Sequence, residues 1–160
     1  MKTIFAIVSA VVLISCQQKE NQTQPIPENE TNIDAAGLFI KGTSAGHEKF
    51  IGTVHQAILG KMGTQTSNVS FEPKSRTHWH LHPGGQTLLV TDGVGYHQEE
   101  GKPVQIIKKG DVITIGKDVK HWHGGSQDQP MTHIAISIDH EAHPSIWFEP
   151  VSDEEYAKTD

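Results

Sequence analysis

The chain has 160 residues, a formal charge of −6 at pH 7 and 35% hydrophobic residues. That length suits one domain with its own core, and an acidic balance without a basic stripe argues against nucleic acid as a partner. One cysteine rules out a disulfide framework.

Residues 1–15 read as an address rather than as fold. Lys2 supplies a positive start, and the apolar run 4–14 is shorter than the roughly 20 residues a membrane span needs. The run ends in Leu13-Ile14-Ser15-Cys16, so the chain's one cysteine falls where a bacterial lipobox places its lipidated residue. The expectation is a lipoprotein signal, with Cys16 lipidated and the protein exported to the bacterial cell envelope. The membrane would then be met through the lipid anchor only. A secretory signal or a weak membrane anchor is the alternative. Residues 16–34 are polar, with Pro25 and Pro27, and too poor in apolar side chains to offset their ordering entropy; they read as a disordered tether. The folded domain is expected over 35–160.

From residue 35 the chain reads as short strands between turn signals, the pattern of an all-β sandwich or barrel. Strands are predicted over 50–55, 68–71, 77–82, 87–91, 94–98, 104–107, 111–115 and 131–138. Turns are predicted at Asp92-Gly93, Glu100-Gly101, Lys109-Gly110 and Gly124-Gly125. A brief turn is expected near Ala35–Leu38. Ser152 with Glu155 three residues on is a capping-box pattern, which predicts a short C-terminal helix over 153–158.

His78, His80 and His82 stand two apart, so one regular strand would point all three imidazoles the same way. Neutral imidazole is a common transition-metal ligand. Downstream, Lys120-His121-Trp122-His123-Gly124 offers a second cluster, and His133 follows in a strand-like run. A fold joining these segments completes a coordination shell that no single strand can.

The spacing resembles the cupin family. His80-x-His82, three residues, Gln86, six residues, Gly93 matches its first motif. The second reads Gly110, five residues, Gly116-Lys117-Asp118, two residues, His121, three residues, Gly125. There Gly116, Asp118 and Gly125 replace the usual proline, glycine and asparagine. Within that superfamily the chain is especially similar to the small, single-domain manganese-dependent hydroxynitrile lyase-like cupins. The similarity lies in FEP at Phe71–Pro73, WHxHPxGQTLxVT at Trp79–Thr91, KHWHG at Lys120–Gly124 and MTHxAI at Met131–Ile136.

The resemblance implies a double-stranded β-helix (a jelly-roll barrel), with His80, His82, Gln86 and His121 as ligands of a divalent metal. Manganese is preferred, with iron or another transition metal next. The competing pair, His78 and His80, leaves five residues before Gln86, outside the usual cupin gap. An amide at 86 brings no charge, so the ion would keep its full divalent charge as a Lewis acid.

His123 shares the strand parity of His121, and with His133 it is a candidate for proton transfer. Either could instead orient a ligand imidazole. Thr77 matches a site threonine of the family, but a regular strand gives it the wrong parity. Arg76, the only arginine, has the parity of the histidines and could grip a substrate carboxylate, or else pair with Glu72 or a carbonyl. His78 could narrow the substrate pocket. Trp79 and Trp122 have the opposite parity and read as packing residues.

Three functions follow. The first is a metal-dependent lyase working on a carbon–carbon bond beside a hydroxyl or carbonyl of a small molecule. The second is an iron- or copper-dependent dioxygenase, and the third a non-enzymatic module binding a small ligand or metal. In 131–138, Ile134, Ile136 and Ile138 would face away from the cavity and need a cover, either the N-terminal strand or another subunit of a homodimer or higher homo-oligomer.

Overall fold

The computed structural model describes residues 32–158; Cys16 and the signal at 1–15 lie outside them, as does the tether up to residue 31. In chain order the elements are β1 (Thr43–Ser44), β2 (Phe50–Ile51), β3 (Val54–Met62), β4 (Thr64–Phe71), β5 (Arg76–Thr77) and β6 (His80–Leu81). They continue with β7 (Gln86–Glu99), β8 (Gln105–Lys108), β9 (Val112–Ile115), β10 (His121–Gly125), β11 (Met131–Ser137), β12 (Ile146–Trp147) and the helix α1 (Asp153–Tyr156). Pairing among these strands is antiparallel and forms the expected jelly roll.

One sheet runs β1-β3-β4-β11-β7-β9. The other joins β8, β7, β10, β5 and β2, with β6 between β10 and β12. β7 belongs to both. Its residues Gln86–Leu89 pair with β9, whereas Val94–His97 pair with β8. The turn predicted at Asp92-Gly93 therefore does not reverse the chain; it bends one 14-residue strand from sheet to sheet. Gly93 has φ 74°, and a Cβ there would stand 2.0 Å from the Pro130 carbonyl oxygen. The pairing with β11 shifts register across Thr132/His133, as a bulge does. A hairpin turn and a strand crossing both need such a glycine, so the sequence signal is the same.

Gly124 also lies within a strand rather than at a turn. A Cβ there would meet the Ser75 carbonyl oxygen at 2.3 Å, so glycine lets β10 lie close against β5.

The strand predicted over 77–82 is broken at His78-Trp79 into β5 and β6. That break resets the alternation, and Thr77 and His80 both line the central cavity. A second difference is at the N-terminus, where residues 32–34 belong to the folded part and not to a tether. Asp34 is buried and accepts from Asn68 Nδ2 at 2.8 Å, and Ile33 bridges to Ile40.

The inner cluster, including Phe50, Phe71, Leu88, Val90, Ile107, Ile115 and Met131, fills the space between the sheets. A smaller outer cluster joins Trp79, Trp122, Val151 and Tyr156, so the two tryptophans are packing residues. Burying a side chain of that size removes about 150–250 Å² from water, on the order of 4–6 kcal/mol. α1 carries the predicted capping box, Ser152 with Glu155, and ends at Tyr156. The Tyr156 hydroxyl donates to the Gly125 carbonyl at 2.8 Å and clamps the C-terminal segment over β10.

Candidate metal centre

His80 on β6, His82 just after it and His121 at the start of β10 are brought together by the β6–β10 pairing, in which His121 opposes His80. All three are buried, and they can offer ring nitrogens lying within 4.8 Å of one another. Each has its Nδ1 committed elsewhere. His80 Nδ1 faces the His78 carbonyl at 3.0 Å, His121 Nδ1 the Val119 carbonyl at 2.9 Å and His82 Nδ1 the Ser145 hydroxyl at 3.1 Å. A carbonyl only accepts, so the proton of a neutral His80 or His121 sits on Nδ1 and its Nε2 presents a lone pair. Such a hydrogen bond from the second nitrogen is the usual companion of a metal-ligating histidine.

Burial holds these imidazoles neutral. Desolvation, and then the neighbouring histidines, push His80 well below its ordinary range. Burial is also the main cause at His121, lowered to about 3, and at His82, lowered to about 4 with His140 adding to it.

Gln86 supplies the fourth group. Its amide nitrogen donates to Ser137 Oγ at 3.2 Å, which aims Oε1 at His121 Nε2, 3.1 Å away. With the His121 proton on Nδ1, that contact opposes two acceptors. Two lone pairs so placed repel unless a cation lies between them. Two donors each about 2.1 Å from one ion and at right angles to it are about 3 Å apart, so the spacing fits a shared metal. The buried His82 Nε2 has no protein partner, which fits the same reading. With nitrogen and oxygen donors and no thiolate, the set suits a first-row divalent ion.

Beside this cluster lies a second, buried pair. His123 Nδ1 and His133 Nε2 are 3.1 Å apart, and Phe71 packs against both rings. Burial lowers both histidines, His133 to about 3 and His123 well below its usual range, where His133 adds to the effect. His123 lines the cavity, and its buried Nε2 has no protein partner. Thr77 lines the cavity as well, and its Oγ1 accepts from the His123 backbone N–H at 3.1 Å.

Arg76 and His78 are not among the lining residues. Arg76 faces the outer side, where Nη2 donates to the Val151 carbonyl at 2.8 Å and pairs with Asp153 at 2.6 Å. Its guanidinium also sits 4.6 Å from the centre of the Tyr156 ring. Of the two roles open to Arg76, the structure shows the carbonyl one, which anchors the C-terminal segment, and not a grip on a substrate carboxylate in the cavity. The strand break at His78-Trp79 is the physical reason, because it turns Thr77 inward and Arg76 outward. His78 stays near Arg76, whose charge helps burial lower it, and so does not narrow the pocket.

Several residues around the cavity carry no motif. Trp147 stacks on His80, with centroids 4.6 Å apart and planes at 16°. Ser145 and His140 come from the irregular segment before it, and Lys49 from the turn before β2. His97 opposes His123 across the β7–β10 pairing, is buried, and has no partner at Nε2. Only His97 had a sequence signal, its position in a predicted strand. His97 lies outside the cavity's lining; the cavity, lined by Lys49, His140, Ser145 and Trp147 with His80, His82 and Gln86, measures about 250 Å³.

The family model described as Cupin domain matches residues 67–137. The (R)-mandelonitrile lyase of Granulicella tundricola is 46% identical over 92 residues, which cover 58% of this chain and 70% of that protein. A cupin-like protein from Thermotoga maritima superposes with a TM-score of 0.73 at 45% identity, over 76% of this chain and 96% of that one. A predicted oxalate decarboxylase from the same organism shares the fold at 22% identity and a TM-score of 0.51, over 56% and 83% of the respective chains. With the jelly roll, the three buried imidazoles and these relatives in view, the chain belongs to the cupin family.

Proposed function

We propose that this protein is a divalent-metal-dependent lyase that makes or breaks a carbon–carbon bond beside a hydroxyl or carbonyl carbon of a small molecule. One observation carries the reading: an all-neutral donor set, His80, His82, His121 and Gln86, lies next to a buried histidine pair whose cavity-lining member, His123, has a ring nitrogen without a protein partner. The 46% identity to a protein named a mandelonitrile lyase supports it. The ion, with manganese first and iron next, would supply Lewis acidity at the substrate oxygen.

The remaining work falls to the chain. When His123 holds its proton on Nδ1, donating to His133 Nε2, its Nε2 lone pair can take the hydroxyl proton. The C–O bond becomes a carbonyl, and the electron pair of the breaking C–C bond leaves with the other fragment, which is reprotonated. When His133 Nε2–H is the donor, His123 Nε2 carries the proton for the reverse reaction. The pair's buried, neutral state leaves both forms accessible. Thr77 fixes the β10 backbone at His123, and Trp147 stacks on the His80 ring and holds its plane.

The test is carbonyl release from (R)-mandelonitrile, used as a probe cyanohydrin, by protein of known metal content. Replacing His123 with Gln is expected to cut the rate at least 100-fold while elemental analysis finds the metal unchanged. Equal rates in wild type and variant would refute the role, as would a protein that takes up no metal.

On the reading of residues 1–16, we place the domain outside the cytoplasm, held by lipid at Cys16. A homo-oligomer is also part of the proposal. Leu89, Ile134 and Val112 form a row on the outer sheet face in which Ile134, next to Asn68, is buried while Val112 at the other end remains 61% exposed. Light scattering on the soluble domain tests this, and a monomer at high concentration would exclude it.

A further inference from the structure

The cavity wall is at odds with the charge of the chain that builds it. The protein carries 19 acidic residues against 13 Lys and Arg, yet among the described residues no Asp or Glu lines the cavity. Its charged lining residue is Lys49, which is exposed at the mouth. The Lys49 ammonium lies 5.4 Å from the centre of the Trp147 ring, whose plane stacks on His80. Ammonium, indole and metal-ligand imidazole thus follow one another from the mouth to the floor. Lys49 has no ion pair among the described residues.

Electrostatics then decides the ligand class. Neutral donors at the floor would leave a bound divalent ion with its full charge, and buried charge left unmatched is costly. Positive charge at both ends of a carboxylate-free cavity favours an anion over a neutral molecule. Gln56, Gln65 and Ser67 add uncharged donors on the wall.

We infer that the natural ligand is a small hydroxy- or oxo-carboxylate, its hydroxyl or carbonyl oxygen toward His80, His82 and His121 and its carboxylate toward Lys49. A neutral cyanohydrin would leave the Lys49 charge without an ionic partner. The floor of this arrangement rests on the metal reading proposed above; Lys49 and the acid-free wall do not.

The test is calorimetric titration of manganese-loaded protein with 4-hydroxybutyrate and with 4-hydroxybutyramide, an acid and its uncharged counterpart. Wild type is expected to bind the acid about tenfold more tightly than the amide. Lys49→Met should remove that preference, and Lys49→Arg should keep most of it. Equal binding of acid and amide by wild type would overturn the inference, as would a Lys49→Met protein that still prefers the acid. Elemental analysis of each sample separates this from the metal reading. Should no metal be held, the same titrations on metal-free protein decide, since Lys49 still requires a preference for the acid that Lys49→Met abolishes.

Discussion

Gln86→Glu is the substitution that most directly questions the metal centre. Gln86 is 4% exposed, with its nitrogen on Ser137 and its oxygen facing His121 Nε2 at 3.1 Å. A carboxylate there, without a cation, is a buried charge with one hydroxyl for company. The protein can always protonate it, which caps the penalty: taking up a proton at pH 7 against an ordinary Glu pKa of about 4.3 costs about 3.7 kcal/mol. A loss of roughly 2–4 kcal/mol in the metal-free protein lowers Tm by about 6–12 °C for a domain of this size. With a cation bound the sign reverses, because the added charge is matched. Ligand at about 1,000 times Kd stabilises by about 4.1 kcal/mol, so excess manganese should raise the variant's Tm by more than that of wild type. Turnover should fall, since a carboxylate ligand weakens the Lewis acid. Calorimetric melts in chelator and in excess manganese make the comparison. If metal-free Gln86→Glu melts within 2 °C of wild type (a threshold set by roughly 3 °C per kcal/mol), or manganese shifts both proteins equally, Gln86 does not face an ion in a dry site.

Ser145→Ala removes the hydroxyl that orients His82 and is expected to weaken manganese binding about 10- to 100-fold; unchanged affinity in a competition titration would show that the hydroxyl is idle. Arg76→Lys should leave the Val151 carbonyl poorly met and cost about 1–3 kcal/mol in urea unfolding, with KM for anionic ligands unaltered; a raised KM would return Arg76 to the cavity. The paired Asp153 side chain is 96% exposed and adds little. Acid should destabilise the metal-free domain. His82 and His121 fall to about 4 and about 3 in the fold, against about 6.5 unfolded, so below pH 6.5 the unfolded chain gains protons that the native state refuses. Stability is then lost as pH falls from about 6.5 toward 4, with a slope approaching 2.7 kcal/mol per pH unit for the two together. A urea midpoint that does not move between pH 7 and pH 5 would contradict it.

The residues that meet at the site were legible where chemistry and spacing coincide. His80, His82, Gln86 and His121 could be named because the chain resembles the two cupin motifs, and His123 and His133 from strand parity together with the same resemblance. Parity failed at Arg76 and Thr77, since it assumes an unbroken strand and nothing in Arg-Thr-His-Trp announces a break. Asp92-Gly93 misled for a related reason, a left-handed glycine serving a bend as well as a reversal. Lys49, Ser145 and Trp147 were invisible because they reach the cavity from irregular segments, where position depends on tertiary contacts and no periodicity points inward.

Since β7 threads both sheets, neither can peel away alone without tearing the backbone ladder of the other. The barrel should therefore open in a single cooperative step, with amide protons on Leu88 and Tyr96 exchanging at the same free energy. Gln86 stands at one end of that strand and His97 near the other. An ion clasped at the floor would accordingly slow exchange across the whole domain rather than in its own neighbourhood.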